Sequence, residues 1–384
     1  MKILHVIPGL ANSSGPSQVV SHLVREACAS GHECSLYYAT GRNADCEVTI
    51  HPDCDVQGFP ALGLKKWGYS PEMKRAVLSK VPNCDIVHCH SMWLYPTMIA
   101  ARTAYRAGVP YIIRPAGSLE PWCVRGLKKQ LYLKLIERTI LDRASAIHAV
   151  SQQEANNVKS FGFRAPAVVV PNGVDIAESG PSRSEARRLL GLPEDRPIVL
   201  FLSRIHEKKG LDVLGEAMLD VRKRLPAAMV AVAGPDSHEY AKKIKQLYKD
   251  LGIIDATRFL GEVSGELKQA AYRAADVFAL PTHSENFGVV VLEALAEGTP
   301  VVVSKNAPWA AVEERRAGFW IENTPLALSH ALTTILSNPD LHEEMSRNAK
   351  DFVIEQFSWA SIGRSIEQMY QQIIARSQTL IEIA

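Results

Sequence analysis

The chain has 384 residues, room for two domains of ordinary size or one large one. With 47% hydrophobic and 22% charged residues, it is not a disordered, collagen-like or low-complexity chain. Lys and Arg (43) nearly balance Asp and Glu (41), so net charge argues for no nucleic-acid partner and any anion site must be local.

The opening Met1-Lys-Ile-Leu-His-Val-Ile-Pro-Gly9 is a short apolar run stopped by Pro-Gly. It lacks the longer apolar block and small-residue cleavage site of a secretory leader, and reads as a first buried strand, Ile3 to Ile7. A helix is predicted over Ser17 to Ala29, where Val19, Val20, Leu23 and Val24 fall at helical spacing before Gly31. Strands follow at Cys34 to Tyr38, Asp85 to His90, Tyr111 to Arg114, Ala146 to Val150 and Ala167 to Val170. Short β-branched runs alternating with helical stretches predict a parallel, Rossmann-type sheet. The seven cysteines (28, 34, 46, 54, 84, 89 and 123) are odd in number and form no Cys-x-x-Cys pair. That usage points to reduced thiols and a cytoplasmic protein.

Turn formers crowd Asn172 to Pro197, and the interdomain connection is expected there. The alternation restarts with strands at Ile198 to Leu202, Met229 to Ala233, Thr257 to Leu260, Val277 to Leu280 and Val301 to Val303. After about Pro325 the chain reads as helical, and Trp359, Ile362, Ile366 and Tyr370 share one face of a late helix that needs a wall to pack on. No apolar run approaches the length that spans a bilayer; Val289 to Leu292 is typical of the longest. The expected divisions are 1–178, 190–357 and a final helix over 358–384.

Neither Gly-x-Gly-x-x-Gly after a strand nor the P-loop pattern occurs, which counts against hydride transfer and P-loop hydrolysis. The sequence instead offers Val277-Phe-Ala-Leu-Pro281, a loop through Glu285-Asn286-Phe287-Gly288, and Val289-Val-Val-Leu-Glu293. This reads as strand, tight loop and a helix opening near Phe287, and a helix mouth at the carboxyl edge of a parallel sheet suits a phosphate. Glu285 and Glu293, eight positions apart, would repel the phosphate, so they are expected to accept hydrogen bonds from ribose or sugar hydroxyls. Arg204, ending a strand, and Lys209, starting the next helix, would place two cations on the same edge, suited to a diphosphate and to a departing diphosphate's charge.

Together these residues resemble the retaining nucleotide-sugar glycosyltransferases of family 4, and the resemblance covers about the full chain. Ser-Arg204-x4-Lys209-Gly, Phe-Leu-Gly261-x-Val263, Asp276-Val-Phe-x-Leu-Pro281, Glu285-Asn-Phe-Gly288 and Val-Leu-Glu293-Ala-x-Ala-x-Gly298 fall in family order. In the first half, Asp85-Ile-Val-His88-Cys-His90-Ser-Met-Trp93, Arg114-Pro-Ala-Gly117-Ser-Leu-Glu120-Pro-Trp122 and Val170-Pro-Asn-Gly173-Val-Asp175 look like bacterial surface-polysaccharide members. The resemblance implies an α/β GT-B fold: two Rossmann-like domains facing a cleft, with the last helix crossing back to the first domain. It implies a metal-independent transfer, without cofactor, from a nucleoside-diphosphate sugar to a glycan or lipid-linked glycan acceptor, with retained configuration. Arg204 and Lys209 would hold the diphosphate, Glu285 the donor sugar and Glu293 the ribose. Gly15, Asn286, Phe287, Gly288 and Val289 would assist, and Val263 would border the base. His90, Trp93, Arg114 and Trp122 are the acceptor-side expectations.

The chain departs from the family at Ala116, where many relatives carry a histidine; His90 is the substitute candidate for a contact in the cleft. His88 and His90 share a strand face and Cys89 points away, so no zinc site is expected. Asp53-Cys54-Asp55 has the form of a metal-binding Asp-x-Asp but lies far from the nucleotide motifs. Arg125, Lys128, Lys129, Lys134 and Arg138, interleaved with Leu127, Leu131 and Leu135, form an amphipathic stretch that would suit contact with an anionic membrane. A nucleotide-sugar 2-epimerase of the same architecture and a non-catalytic sugar-nucleotide-binding subunit remain open as alternatives.

Overall fold

The computed structural model describes residues 1–11, 15–41, 48–63, 65–120, 123–177, 179–236 and 239–383, with backbone only at 65 and 380–383. Contacts divide the chain into two units: Met1–Gly173 with Trp359–Ala384, and Val174–Ser358. From Val174 onward, therefore, the turn-rich connecting stretch belongs to the second unit.

The first unit is built on seven strands: β1 (Lys2–Ile7), β2 (Glu33–Thr40), β3 (Asp55–Pro60), β4 (Ile86–His90), β5 (Tyr111–Arg114), β6 (Ala146–Ala149) and β7 (Ala167–Val169). Their order is β3-β2-β1-β4-β5-β6-β7, every pair parallel. Both faces are covered, which is why these strands read as apolar runs. On one face Leu4, Val6, Val87, Ile113 and Ile147 meet Met73, Val77, Ala100 and Ala104. On the other, Ile3, Ile86 and Ile112 meet Val20, Leu23 and Val24 of the helix Gly15–Ala29 and a stripe of the final helix, Trp359–Ile383. That stripe, from Trp359, Ile362 and Ile366 through Met369, Tyr370 and Ile373, finds its wall on the first sheet.

The second unit carries six parallel strands: β8 (Ile198–Leu202), β9 (Met229–Ala233), β10 (Thr257–Gly261), β11 (Val277–Leu280), β12 (Val301–Ser304) and β13 (Gly318–Ile321), in the order β10-β9-β8-β11-β12-β13. Both sheets reverse direction of growth next to their first strand, the switch point where open α/β sheets bind ligands. Two strands, β3 and β13, are absent from the sequence reading. Each lies at a sheet edge and each contains glycine, and β3 ends on Pro60. Edge strands need only one satisfied ladder and so tolerate residues that break the apolar pattern. Asp55, of the Asp-x-Asp candidate, opens β3 opposite Ser35 and lies near Lys80, so it serves the sheet edge.

Candidate functional site

At the carboxyl edge of the second sheet two loops lock together. After β8, Arg204 is exposed, His206 accepts the Lys208 N–H at 3.1 Å, and Glu207–Lys209 forms a short 3-10 turn. Lys209 thus lies in that turn, two residues before the helix Leu211–Arg224 it was expected to start. The carbonyl of Lys208 accepts from Thr282 Oγ1 at 2.9 Å and from the His283 N–H at 2.8 Å, tying this loop to the one after β11. Gly210 makes the approach possible: its φ is +75°, and a Cβ there would lie 1.8 Å from the Pro281 carbonyl oxygen. Gly210→Ala is expected to cost more than about 2 kcal/mol of stability; urea unfolding within about 0.5 kcal/mol of the parent would show that this close approach does not exist.

The loops bring Lys209 and Glu285, 76 residues apart, into a direct ion pair, with side chains only 9% and 13% exposed. Glu285 also accepts the Asn286 N–H at 3.1 Å. Phe287 is buried against Trp309, whose indole N–H donates to the Phe287 carbonyl. The helix opens at Val289, two residues later than expected, because Gly288 (φ +81°) takes the left-handed cap position. It has no side-chain cap, so its first N–H groups lack the usual side-chain acceptor. Val263 is half-buried in the loop after β10.

Glu293 sits in the second turn of that helix. One carboxylate oxygen accepts from Lys268 Nζ at 2.5 Å and the other from Tyr272 Oη at 2.7 Å. Both donors lie on the helix Gly265–Ala274, one turn apart, a spacing that puts them on one face. Burial and the neighbouring carboxylate raise the Tyr272 pKa well above its ordinary value, so the phenol remains a donor. A cavity of about 320 Å³ adjoins them, lined in part by Gln269, Glu297 and Asp175.

In the first unit, sheet register collects histidines. His5 pairs with His88, and His90 with Arg114. His5 Nδ1 lies 3.0 Å from His90 Nε2; His88 meets His148 at 3.3 Å and Tyr370 Oη at 2.7 Å; His148 contacts the Val170 carbonyl at 2.8 Å. His90, the candidate for a contact in the cleft, is a wholly buried member of this row (0% exposed), on an interior strand covered on both faces. Arg114 is likewise buried (2% exposed), and its Nη2 donates to Asn172 at 2.6 Å. Desolvation holds His5 and His148 down at about 4 and about 3, and pushes His88 and His90 well below the ordinary range. Among the described residues, His5, His88 and His90 alone bring three ligand atoms of the metal-binding kind together, within 4.8 Å. The Arg114 charge acts on His88 and His90 and would oppose a second cation beside them.

Trp93 is half-buried, with φ +74°, and its N–H donates to Glu137 at 2.9 Å. Glu137, missed in the sequence, is buried at the end of a π-helical turn, Leu133–Glu137, and desolvation raises its pKa to about 7. Gly15 is exposed at a helix start with open space where a Cβ would stand. Trp122 lies outside the described residues. Lys268 and Tyr272 were also missed, although their i, i+4 spacing was a legible sign of a shared face.

Two switch-point parallel sheets, the second carrying a desolvated cation–acid pair beside a glycine-capped helix mouth, define a ligand-binding protein of the doubly wound α/β class. Residues 182–352 match the family described as Glycosyl transferases group 1, and residues 14–173 match the Glycosyl transferase 4-like domain. The chain belongs to the glycosyltransferases of family 4 type and has the GT-B fold. It is 33% identical to a D-inositol 3-phosphate glycosyltransferase of Saccharomonospora viridis across 98% of this chain and 94% of that protein. An uncharacterized glycosyltransferase of Methanocaldococcus jannaschii is 28% identical across 78% of each chain. In fold it is similar to sucrose-phosphate synthase of Thermosynechococcus elongatus (TM-score 0.75, 21% identity, 98% of this chain and 100% of that one). Anabaena HepE, solved with UDP and glucose, superposes with a TM-score of 0.76 at 19% identity over 97% of this chain and 100% of its own.

Proposed function

We propose that the protein transfers a sugar from a nucleoside-diphosphate sugar to a hydroxyl of a glycan or lipid-linked glycan, with retained anomeric configuration, in surface-polysaccharide synthesis. The observation that carries this reading is the buried Lys209–Glu285 pair at the carboxyl edge of the second sheet, beside the helix mouth at Gly288 and the exposed Arg204. Lys209 and Arg204 neutralise the diphosphate, and the charge that grows as it leaves is met by the same cations. Glu285, held by Lys209, accepts a hydroxyl of the donor sugar. Val263 borders the base, and Asn286, Phe287, Gly288 and Val289 contribute backbone contacts. The acceptor side is carried by the first unit through Gly15, Trp93 and Trp122, with His90 and Arg114 supporting it from within. Attack from the face of the leaving group, with the departing phosphate as base, accounts for retention.

The test is acceptor-dependent release of nucleoside diphosphate in the presence of a chelator, followed by proton NMR of the new anomeric centre. Release without acceptor and with epimerised sugar would favour the epimerase, and no turnover with any acceptor would favour a binding subunit. Loss of all activity to the chelator would overturn the metal-independent reading. Glu285→Gln is expected to impair transfer more than calorimetric binding of the bare diphosphate nucleotide; equal losses would move Glu285 away from the sugar.

Peripheral membrane contact is part of the same proposal. No described helix is long and apolar enough to cross a membrane. Leu127, Leu131 and Leu135 are 84%, 58% and 65% exposed at four-residue spacing, and exposed Arg125, Lys128, Lys129, Lys134 and Arg138 accompany them. The chain should co-sediment with phosphatidylglycerol vesicles and not with phosphatidylcholine, and replacing the three leucines by Gln should lower that binding at least roughly fivefold. Equal sedimentation with both lipids would remove the electrostatic part of this claim.

A further inference from the structure

We propose that Lys268 and Tyr272 are positioning residues that set Glu293 to recognise the donor's ribose diol, so that the enzyme discriminates ribonucleotides from their deoxy counterparts through this bracket. The inference rests on the donor-site reading given above.

A glutamate on an exposed helix samples several rotamers, and binding a ligand through it costs the entropy of choosing one. Glu293 has already been chosen. Each of its oxygens carries one donor, Lys268 Nζ at 2.5 Å and Tyr272 Oη at 2.7 Å. An ionised carboxylate has about four acceptor sites, so one remains on each oxygen. Two acceptor sites on adjacent oxygens suit two vicinal hydroxyls, and they do not suit a phosphate.

The bracket is itself held. Tyr272 is buried, its ring makes an edge contact with Phe278 at 5.9 Å, and its carbonyl accepts from Thr299 Oγ1 at 2.8 Å. The next residue after each donor, Gln269 and Arg273, holds Glu297, one turn beyond Glu293, at 3.1 and 2.5 Å. Two rungs therefore clamp the helix Gly265–Ala274 to the helix Val289–Ala296 and fix where Glu293 points.

The experiment is titration calorimetry of the full chain with UDP, GDP and ADP, followed by the 2′,3′-dideoxy form of whichever binds best. The parent should lose at least about tenfold in affinity on removal of the hydroxyls, as expected for hydrogen bonds to a charged group. Tyr272→Phe and Lys268→Met should each weaken the ribonucleotide roughly five- to tenfold and the dideoxynucleotide less than about twofold, with Lys268→Arg restoring most of the loss. Equal weakening of both nucleotides would show that the two residues only maintain the fold, and no weakening of either would show that Glu293 needs no bracket. Each of these results overturns the inference while leaving the donor site standing. A parent that binds both forms equally removes Glu293 from the ribose, and a parent that binds no nucleoside diphosphate removes the donor site; either sinks the inference with it. Lys268, at the surface, covers the case in which Tyr272→Phe fails to fold.

Discussion

Lys209→Ala is expected to lower turnover at least tenfold, and Arg204→Ala by less. A hydrogen bond to a charged group contributes about 1.5–3 kcal/mol, and each 1.4 kcal/mol at the transition state is a factor of ten in rate. Lys209 stands above that floor for a structural reason. Its ammonium is largely removed from water and paired with Glu285, so truncation removes the proposed diphosphate contact and also leaves a largely desolvated carboxylate without its partner. Arg204 is exposed and has no such second consequence. Comparing Lys209→Ala with Glu285→Gln and with the double variant separates the two effects: if the unpaired acid dominates, Lys209→Ala costs little further turnover in the Glu285→Gln background, and if the lost phosphate contact dominates, it costs there as much as in the parent. A folded Lys209→Ala variant with unchanged turnover would remove Lys209 from the chemistry.

A steep loss of stability in acid is the other large effect. The folded pKa values of His5 and His148 are held at about 4 and about 3, and those of His88 and His90 well below the ordinary range. The unfolded chain therefore binds more protons as pH falls below about 6.5, and each histidine weakens the fold by up to about 1.4 kcal/mol per pH unit until its folded pKa is reached. Glu137 acts in the opposite sense. Its folded pKa of about 7 exceeds the ordinary value, so it weakens the fold as pH rises from about 4.5 to 7. The charged group facing the histidines is Arg114, with Glu154 acting on Arg114 in turn. Four histidines outweigh one acid, and unfolding free energy from urea titrations should drop by several kcal/mol between about pH 6.5 and pH 4.5. Glu137→Gln should steepen that fall. A flat profile over this window would mean that the histidines titrate normally and are not enclosed.

The motifs proposed for the donor site were readable because each is local. Pro281 through Glu293 is one strand end, one loop and the opening turns of one helix, so residue types and spacing place them on a single edge. The late helix's stripe was readable for the same reason. The contacts between motifs were not. Nothing in the spacing of Lys209 and Glu285 shows that they form an ion pair, because the pair follows from β8 lying beside β11 and from Gly210 admitting the Pro281 carbonyl. His88 and His90 were correctly placed on one face by alternation, yet their fate depended on what covers that face. The final helix, contributed by residues some 280 positions away, sets Tyr370 against His88, and His90 is buried in the same row beside His5.

By itself, then, the amino-acid order determined the class of fold, the two-sheet plan and the chemical types at the carboxyl edge of the second sheet, since periodicity and turn chemistry act over a few residues. Which charges are paired, which histidines are dry and which side chains hold Glu293 were decided only by the tertiary structure. Desolvation and pairing depend on neighbours that the chain supplies from distant positions, and their energies do not exist until the sheets and helices have packed.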